Sequence, residues 1–200
     1  MLSPWLVRHI AVSKRLSMSQ KVHTLIGIAL FTLALVASAA CTAITDTSSG
    51  PTEVGATATA ILSGPDGEAM GTVSFTQTPH GVLVSADVSG LEPGGHGFHI
   101  HEFGSCSPDF SAAGDHFNPD NRTHGYYPES GFHAGDMPNI YAGADGNARA
   151  DHLVPAISLG SGDTSIFDTD SSAIIVHEKP DTYGIDAGAG GRVACGVIQR

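Results

Sequence analysis

Past its first forty residues, this 200-residue chain has little positive charge. From Cys41 onward only Arg122, Arg149, Lys179, Arg192 and Arg200 are basic, against all twenty Asp and Glu, a formal charge of −15. Such a surface repels nucleic acid and anionic lipid headgroups, which excludes DNA binding. It would equally repel an anionic substrate unless positive charge is placed locally. Also missing is any apolar run of the ~20 residues that a spanning helix needs. The longest uncharged apolar stretch, "LIGIALFTLALVASAA", covers only 25–40. No sustained helical period runs through the chain, and no repeat of 20–50 residues is evident. Cysteine is scarce, with three in all, so pairing two leaves one over.

The leader that precedes Cys41 is what a secretory signal looks like: Arg8, Lys14, Arg15 and Lys21, then the apolar run, then small residues. Met18 is an alternative start, because "MSQKVHTLIGIALF" makes a compact signal by itself and would leave 1–17 untranslated. The "SAAC" at its end resembles a bacterial lipoprotein signal, in which Cys41 becomes the lipidated first residue, although Ser38 stands where Leu is commoner. The competing reading is plain cleavage near Ala39 or Ala40. Lipidation would account for the odd cysteine and anchor the protein to a membrane. On this reading 1–40 are a signal peptide, 41–53 a small, polar, flexible tether, and 54–200 the folded domain.

The rest of the chain breaks into short β-like runs between Gly, Pro and Asp clusters. These are "VGATATAIL", "AMGTVSFTQ", "GVLVSADVSG", "HGFHIHEF", "NARADHLVP", "SAIIVHE" and "RVACGVI". They predict an all-β antiparallel sandwich or barrel. Two segments escape this rhythm and read as long loops, 104–147 and the Gly-rich 179–192. Long loops in a compact domain are functional or disordered.

In "GFHIHEFG", strand alternation sends His99 and His101 to one face and Phe98 and Ile100 to the other. The long loop then holds His116, His124, His133 and Asp136, at spacings of 8, 9 and 3 residues. Three imidazoles and a carboxylate suit a closed tetrahedral zinc shell, and several imidazoles together suit copper, with His177 of "IIVHEK" a further ligand. His96 shares parity with Phe98 and reads as structural. His80 and His152 read as solvated, and Glu102 and Glu178 as structural neighbours of histidines.

Five blocks in order, "HGFHIHEFG", "GDHFNPDNRTHG", "GFHAGDMPN", "IIVHEKPDTYG" and "GGRVACGVI", resemble the copper/zinc superoxide dismutase family over about 54–199. The resemblance implies an eight-stranded antiparallel Greek-key β-barrel with two long functional loops. It implies one copper per subunit on His99, His101, His116 and His177, and one zinc on His116, His124, His133 and Asp136. His116 would be shared between them, and Asp181 would link His99 to His124. Arg192 would be the active-site cation that guides superoxide, which answers the tension with the acidic surface. Cys106 and Cys195 would form a disulfide, in keeping with export. The implied activity is disproportionation of superoxide to dioxygen and hydrogen peroxide outside the cytoplasm, with Arg192 and His116 catalytic. The alternative is a non-enzymatic copper/zinc-binding module on the same fold. Between Asp181 and Arg192 only Asp186 is charged, so the second loop carries less steering charge than in eukaryotic relatives.

Overall fold

The computed structural model describes residues 53–200. The signal, the alternative start, the lipidation at Cys41 and all of the tether except Glu53 lie outside the described residues.

Eight strands make the domain: β1 (Thr57–Ser63), β2 (Ala69–Thr78), β3 (Gly81–Val88), β4 (Gly94–His101), β5 (Asp136–Ala142), β6 (Ala148–Val154), β7 (Ala173–His177) and β8 (Arg192–Val197). All pairings are antiparallel, in the order β5-β4-β7-β8-β1-β2-β3-β6. The two end strands, β5 and β6, approach one another and nearly close the sheet into a barrel. β4, β5 and β6 follow in sequence while β7 returns to lie beside β4, a Greek-key order.

The early strands bury one face and expose the other. Ala58, Ala60 and Leu62 of β1 point inward with Val82, Val84 and Val88 of β3, while Thr57, Thr59 and Ile61 face out. Phe75, Phe98, Ile100, Met137, Ile140, Ile174 and Val176 fill the barrel. Burial of such side chains, at roughly 25 cal/mol per Å², is the main force holding the fold.

β4 and β7 differ because both of their faces are covered. Phe98, Ile100, Ile174 and Val176 point into the barrel. Ala173, Ile175 and Cys195 form a second small cluster on the outer face, beneath Ala113, Cys106 and Phe110 of the long loop. The loop therefore roofs one side of the barrel, and the histidines of β4 lie under that roof.

One expectation needs correction. Residues 104–147 are not loop throughout, because β5 lies within them. Its apolar residues do not alternate. Between the pairs His96–Ile140 and Phe98–Met137, β5 has one more residue than β4, a bulge that shifts the inward set. Together with Pro138, this hides the strand from a period-two search.

Candidate metal centre

β4 supplies the first two imidazoles. His99 and His101 are fully buried on its outer face. His177 ends β7, and a shift in register there pairs it with Arg192 at the start of β8. His116 comes from the long loop, which lies against β4: Phe117 donates to the Ile100 carbonyl (2.9 Å), and Ile100 donates to the Gly135 carbonyl (2.9 Å). Gly135 in turn donates to the Phe117 carbonyl (2.8 Å), so one residue of β4 seats two parts of the loop. That contact needs glycine, because a Cβ on residue 135 would come within 2.2 Å of the Ile100 carbonyl oxygen.

The rings converge on two centres that share His116. Ring centroids of His99, His101 and His177 lie 4.1, 4.8 and 6.2 Å from that of His116. On the other side, His116, His124 and His133 form a near-equilateral triangle of 5.1, 5.4 and 5.4 Å. One ligand atom each from His99, His101, His116 and His177 lie mutually within 4.8 Å, and the same holds for His116, His124 and Asp136.

The hydrogen bonds select the nitrogens left bare. His99 Nε2 is 2.7 Å from Asp181 Oδ2 and must donate to it, which leaves Nδ1 with a lone pair. His101 Nδ1 donates to the Gly114 carbonyl at 2.9 Å, leaving Nε2. Both bare nitrogens are buried without a hydrogen-bond partner, as are both ring nitrogens of His177. Buried polar atoms are rarely left so, and one nitrogen from each of these three rings lies within 4.8 Å of the others. The set fits a metal that prefers imidazole.

The second set fits zinc. Asp136 Oδ1 lies 2.7 Å from His116 Nδ1, 3.2 Å from His133 Nδ1 and 3.6 Å from His124 Nε2. Two ligands at tetrahedral positions around zinc stand about 3.3 Å apart. Asp136 Oδ2 faces away, accepting from the backbone N–H groups of Gly125 and His133. Despite burial, the bonds from His116 and His133 hold the Asp136 carboxyl well below the usual carboxylate range.

Asp181 connects the two sets. Its Oδ2 is 2.7 Å from His99 Nε2 and 3.0 Å from His124 Nε2. Burial opposes protonation of His124. Its bonds to Asp181 and the Gly184 carbonyl and the nearby Asp136 charge outweigh that, and its pKa is pushed up to about 9. Asn139 clamps Asp181 from behind, donating to its carbonyl (2.9 Å) and accepting from its N–H (2.7 Å). Neither Asn139 nor Gly135 stood out in the sequence; the "GDMPN" block contained both, but their roles depend on partners far along the chain, Asp181 for the first and Ile100 and Phe117 for the second.

Arg192 donates to the carbonyls of Phe110 and Gly114. The Gly114 oxygen therefore accepts from both Arg192 and His101. This fixes the guanidinium beside the His99–His101–His177 side. Arg192 also lines a pocket of about 400 Å³ with Asp109, Phe110, Pro108 and Cys106. Cys106 and Cys195 are joined by a disulfide with a Cα–Cα distance of 5.9 Å, tying the loop to β8. Residues at both ends of that tie lie close to Arg192.

The remaining histidines fall elsewhere. His96 is buried, with its ring nitrogens 2.7 Å from the His177 carbonyl and 2.8 Å from that of Glu92. His80 is exposed. His152 is not solvated as expected. It is half-buried on the inward parity of β6, near Phe98, with Nε2 unpartnered, and burial lowers its pKa. Glu102 and Glu178 accept from the backbone N–H groups of Asp115 and Gly191.

Comparison with known proteins points one way. A family model described as "Copper/zinc superoxide dismutase (SODC)" matches residues 69–198. A Caulobacter vibrioides protein named "Superoxide dismutase (Cu-Zn)" is 44% identical over 148 residues, covering 71% of this chain and 85% of its own. An "Extracellular superoxide dismutase (Cu-Zn)" of Brugia pahangi is 39% identical, over 72% of this chain and 75% of its own. A crystal structure of a double mutant of a superoxide dismutase-like protein from Bacillus subtilis superimposes with a TM-score of 0.68 at 39% identity, covering 71% of this chain and 97% of that one. With the barrel, the shared imidazole and these relatives together, the chain belongs to the copper/zinc superoxide dismutase family.

Proposed function

We propose that this protein is an exported superoxide dismutase in which His99, His101, His116 and His177 hold copper and His116, His124, His133 and Asp136 hold zinc. One observation carries the reading: His116 groups with His99, His101 and His177 on one side and with His124 and Asp136 on the other, and its Nδ1 lies 2.7 Å from Asp136 Oδ1, which leaves Nε2 for the first set. Bound copper would supply the redox chemistry, taking an electron from one superoxide and giving it to the next.

The chain's own residues do the rest. Arg192, fixed by two carbonyls near His101 and His177, attracts and orients an anion where the rest of the surface repels it. Burial lowers the pKa of His99 to about 4 and of His177 to about 3, so their imidazoles stay neutral and available as ligands at neutral pH. His116 can hold a proton on the nitrogen that faces His99 and His101 while its Nδ1 stays on the Asp136 side. That proton has the right place to be passed to reduced oxygen. Asp181 keeps His99 in the tautomer that leaves Nδ1 bare, as outer carboxylates of metal sites do. A carrier module would need neither Arg192 nor the shared His116.

The disulfide fits an oxidising compartment. We place the protein outside the cytoplasm, anchored through lipid on Cys41. Metal analysis of the purified protein tests the site: one copper and one zinc per chain are expected, and His116→Ala should lower both. Loss of neither ion would contradict the shared ligand. Cys41→Ser should release the protein from membranes, and unchanged membrane association would remove the anchor.

A further inference from the structure

Tyr183, in the second loop, holds a left-handed backbone with φ of 61°, one of three residues other than glycine to do so among the described residues. A bulky side chain is rarely found there, and residues kept in such conformations cluster where the surrounding structure holds a site in place. Its neighbours show what keeps it so. The Tyr183 hydroxyl accepts from the Asn139 N–H of β5 at 2.9 Å, and its carbonyl accepts from the Tyr127 N–H of the long loop at 3.1 Å. The half-buried ring leans on Tyr126 and Tyr127, with centroids 5.5 and 6.2 Å away. Gly125 lets the long loop come this near, because a Cβ there would stand 2.4 Å from the Tyr183 carbonyl oxygen.

What this turn delivers is the Tyr183 N–H, which donates to Asp181 Oδ1 at 2.6 Å. The other oxygen of that carboxylate, Oδ2, is the one that accepts from His99 Nε2. The Asp181 backbone is already clamped by the Asn139 side chain, so the rotation of the carboxylate is the freedom that remains. A donor on Oδ1 removes it and keeps Oδ2 turned to His99. Asn139 thus serves both residues, holding Asp181 with its side chain and Tyr183 with its backbone N–H.

We propose that Tyr183 is a positioning residue for the copper-side histidines: its left-handed turn, anchored to β5 through its hydroxyl, fixes the Asp181 carboxylate and through it the His99 tautomer that leaves Nδ1 bare. The proposal rests on the reading of His99 as a copper ligand. Loss of an outer partner that orients a ligand lowers metal affinity by ~10-fold or more. Glycine adopts the same backbone freely, so the turn needs its anchor only because a side chain is present.

The test reads the proton on His99 directly. Long-range proton–nitrogen correlation spectra of the isotope-labelled, metal-free protein at neutral pH report which ring nitrogen carries it, and copper affinity is measured beside them by competition with a chelator. The parent should show one His99 form, protonated on Nε2. Tyr183→Val, whose branched side chain opposes a positive φ, should lose that single form and bind copper ~10-fold more weakly. Tyr183→Phe, which lacks only the hydroxyl, should change in the same direction. Tyr183→Gly should keep the parental His99 form and most of the copper affinity. Unchanged His152 signals show in each case that the barrel is intact. Parental behaviour of Tyr183→Val or of Tyr183→Phe overturns the proposal, and so does a Tyr183→Gly variant that falls with them. A loss of stability to urea with no change at His99 overturns it too, making Tyr183 structural only. Failure of the copper reading looks different: the His99 form would respond as expected while the parent bound no copper stoichiometrically, or His99→Gln bound it as tightly as the parent.

Discussion

Single side chains shape this centre through the nitrogens they leave bare. Burial, the largest cause in each case, lowers the pKa of His99 to about 4, of His177 to about 3 and of His101 to about 2. The unfolded chain, with its histidines near 6.5, binds protons that the folded site refuses, so acidification below about pH 6.5 favours unfolding. Asp136 and Asp181, both held below the usual carboxylate range, act in the same direction at lower pH. His124, pushed up to about 9, acts oppositely, and its contribution is lost as pH rises from about 6.5 through 9. Urea unfolding of the metal-free protein should therefore give greatest stability near pH 6.5, with a fall toward pH 4 and a smaller one toward pH 9. A midpoint that stays flat between pH 4 and 7 would contradict these assignments. The histidines that cluster here could be picked out in the sequence because an imidazole announces its chemistry wherever it stands. The Gly114 carbonyl and Asn139 could not, because a carbonyl carries no signature and an asparagine fits any turn. His152 misled for the converse reason: on a strand whose outward residues are charged, its inward parity was the signal, and its polarity obscured it.

At the scale of elements, a strand covered on both faces meets a loop that cannot fold by itself. β4 gives Phe98 and Ile100 to the barrel and His99 and His101 to the roof, so these candidate ligands inherit the rigidity of the core. The loop is seated by backbone bonds at Ile100 and by the disulfide, which spans 89 residues of sequence. Closing a loop of that length restricts the unfolded chain by ~4–5 kcal/mol in the chain-entropy model. Gly135 is where the two elements touch most closely. Gly135→Ala should push the His133–Asp136 corner off β4 and weaken zinc binding, by ~10-fold or more if it resembles loss of an outer-shell partner. Competition with a chelator measures this, and unchanged affinity would mean that the corner has room to move. Seven strands were legible from alternation and turn residues, and β5 was hidden by its bulge.

For the whole molecule, the dominant fact is charge. A chain with −15 from Cys41 onward that uses an anionic substrate needs a local exception, and Arg192 is placed to be one. Arg192→Ala should lower the rate at low salt by ~10-fold or more and reduce its salt dependence, with copper content retained. Equal losses of rate and copper would make the residue structural instead. The central claim, that four histidines around the shared His116 make this a working dismutase, is tested most directly by one assay. Superoxide consumption is measured with the purified protein loaded with copper and zinc, beside its His177→Ala variant. The account predicts cyanide-sensitive activity in the parent and near-complete loss in the variant. A loaded parent without activity, or a variant as active as the parent, would contradict it.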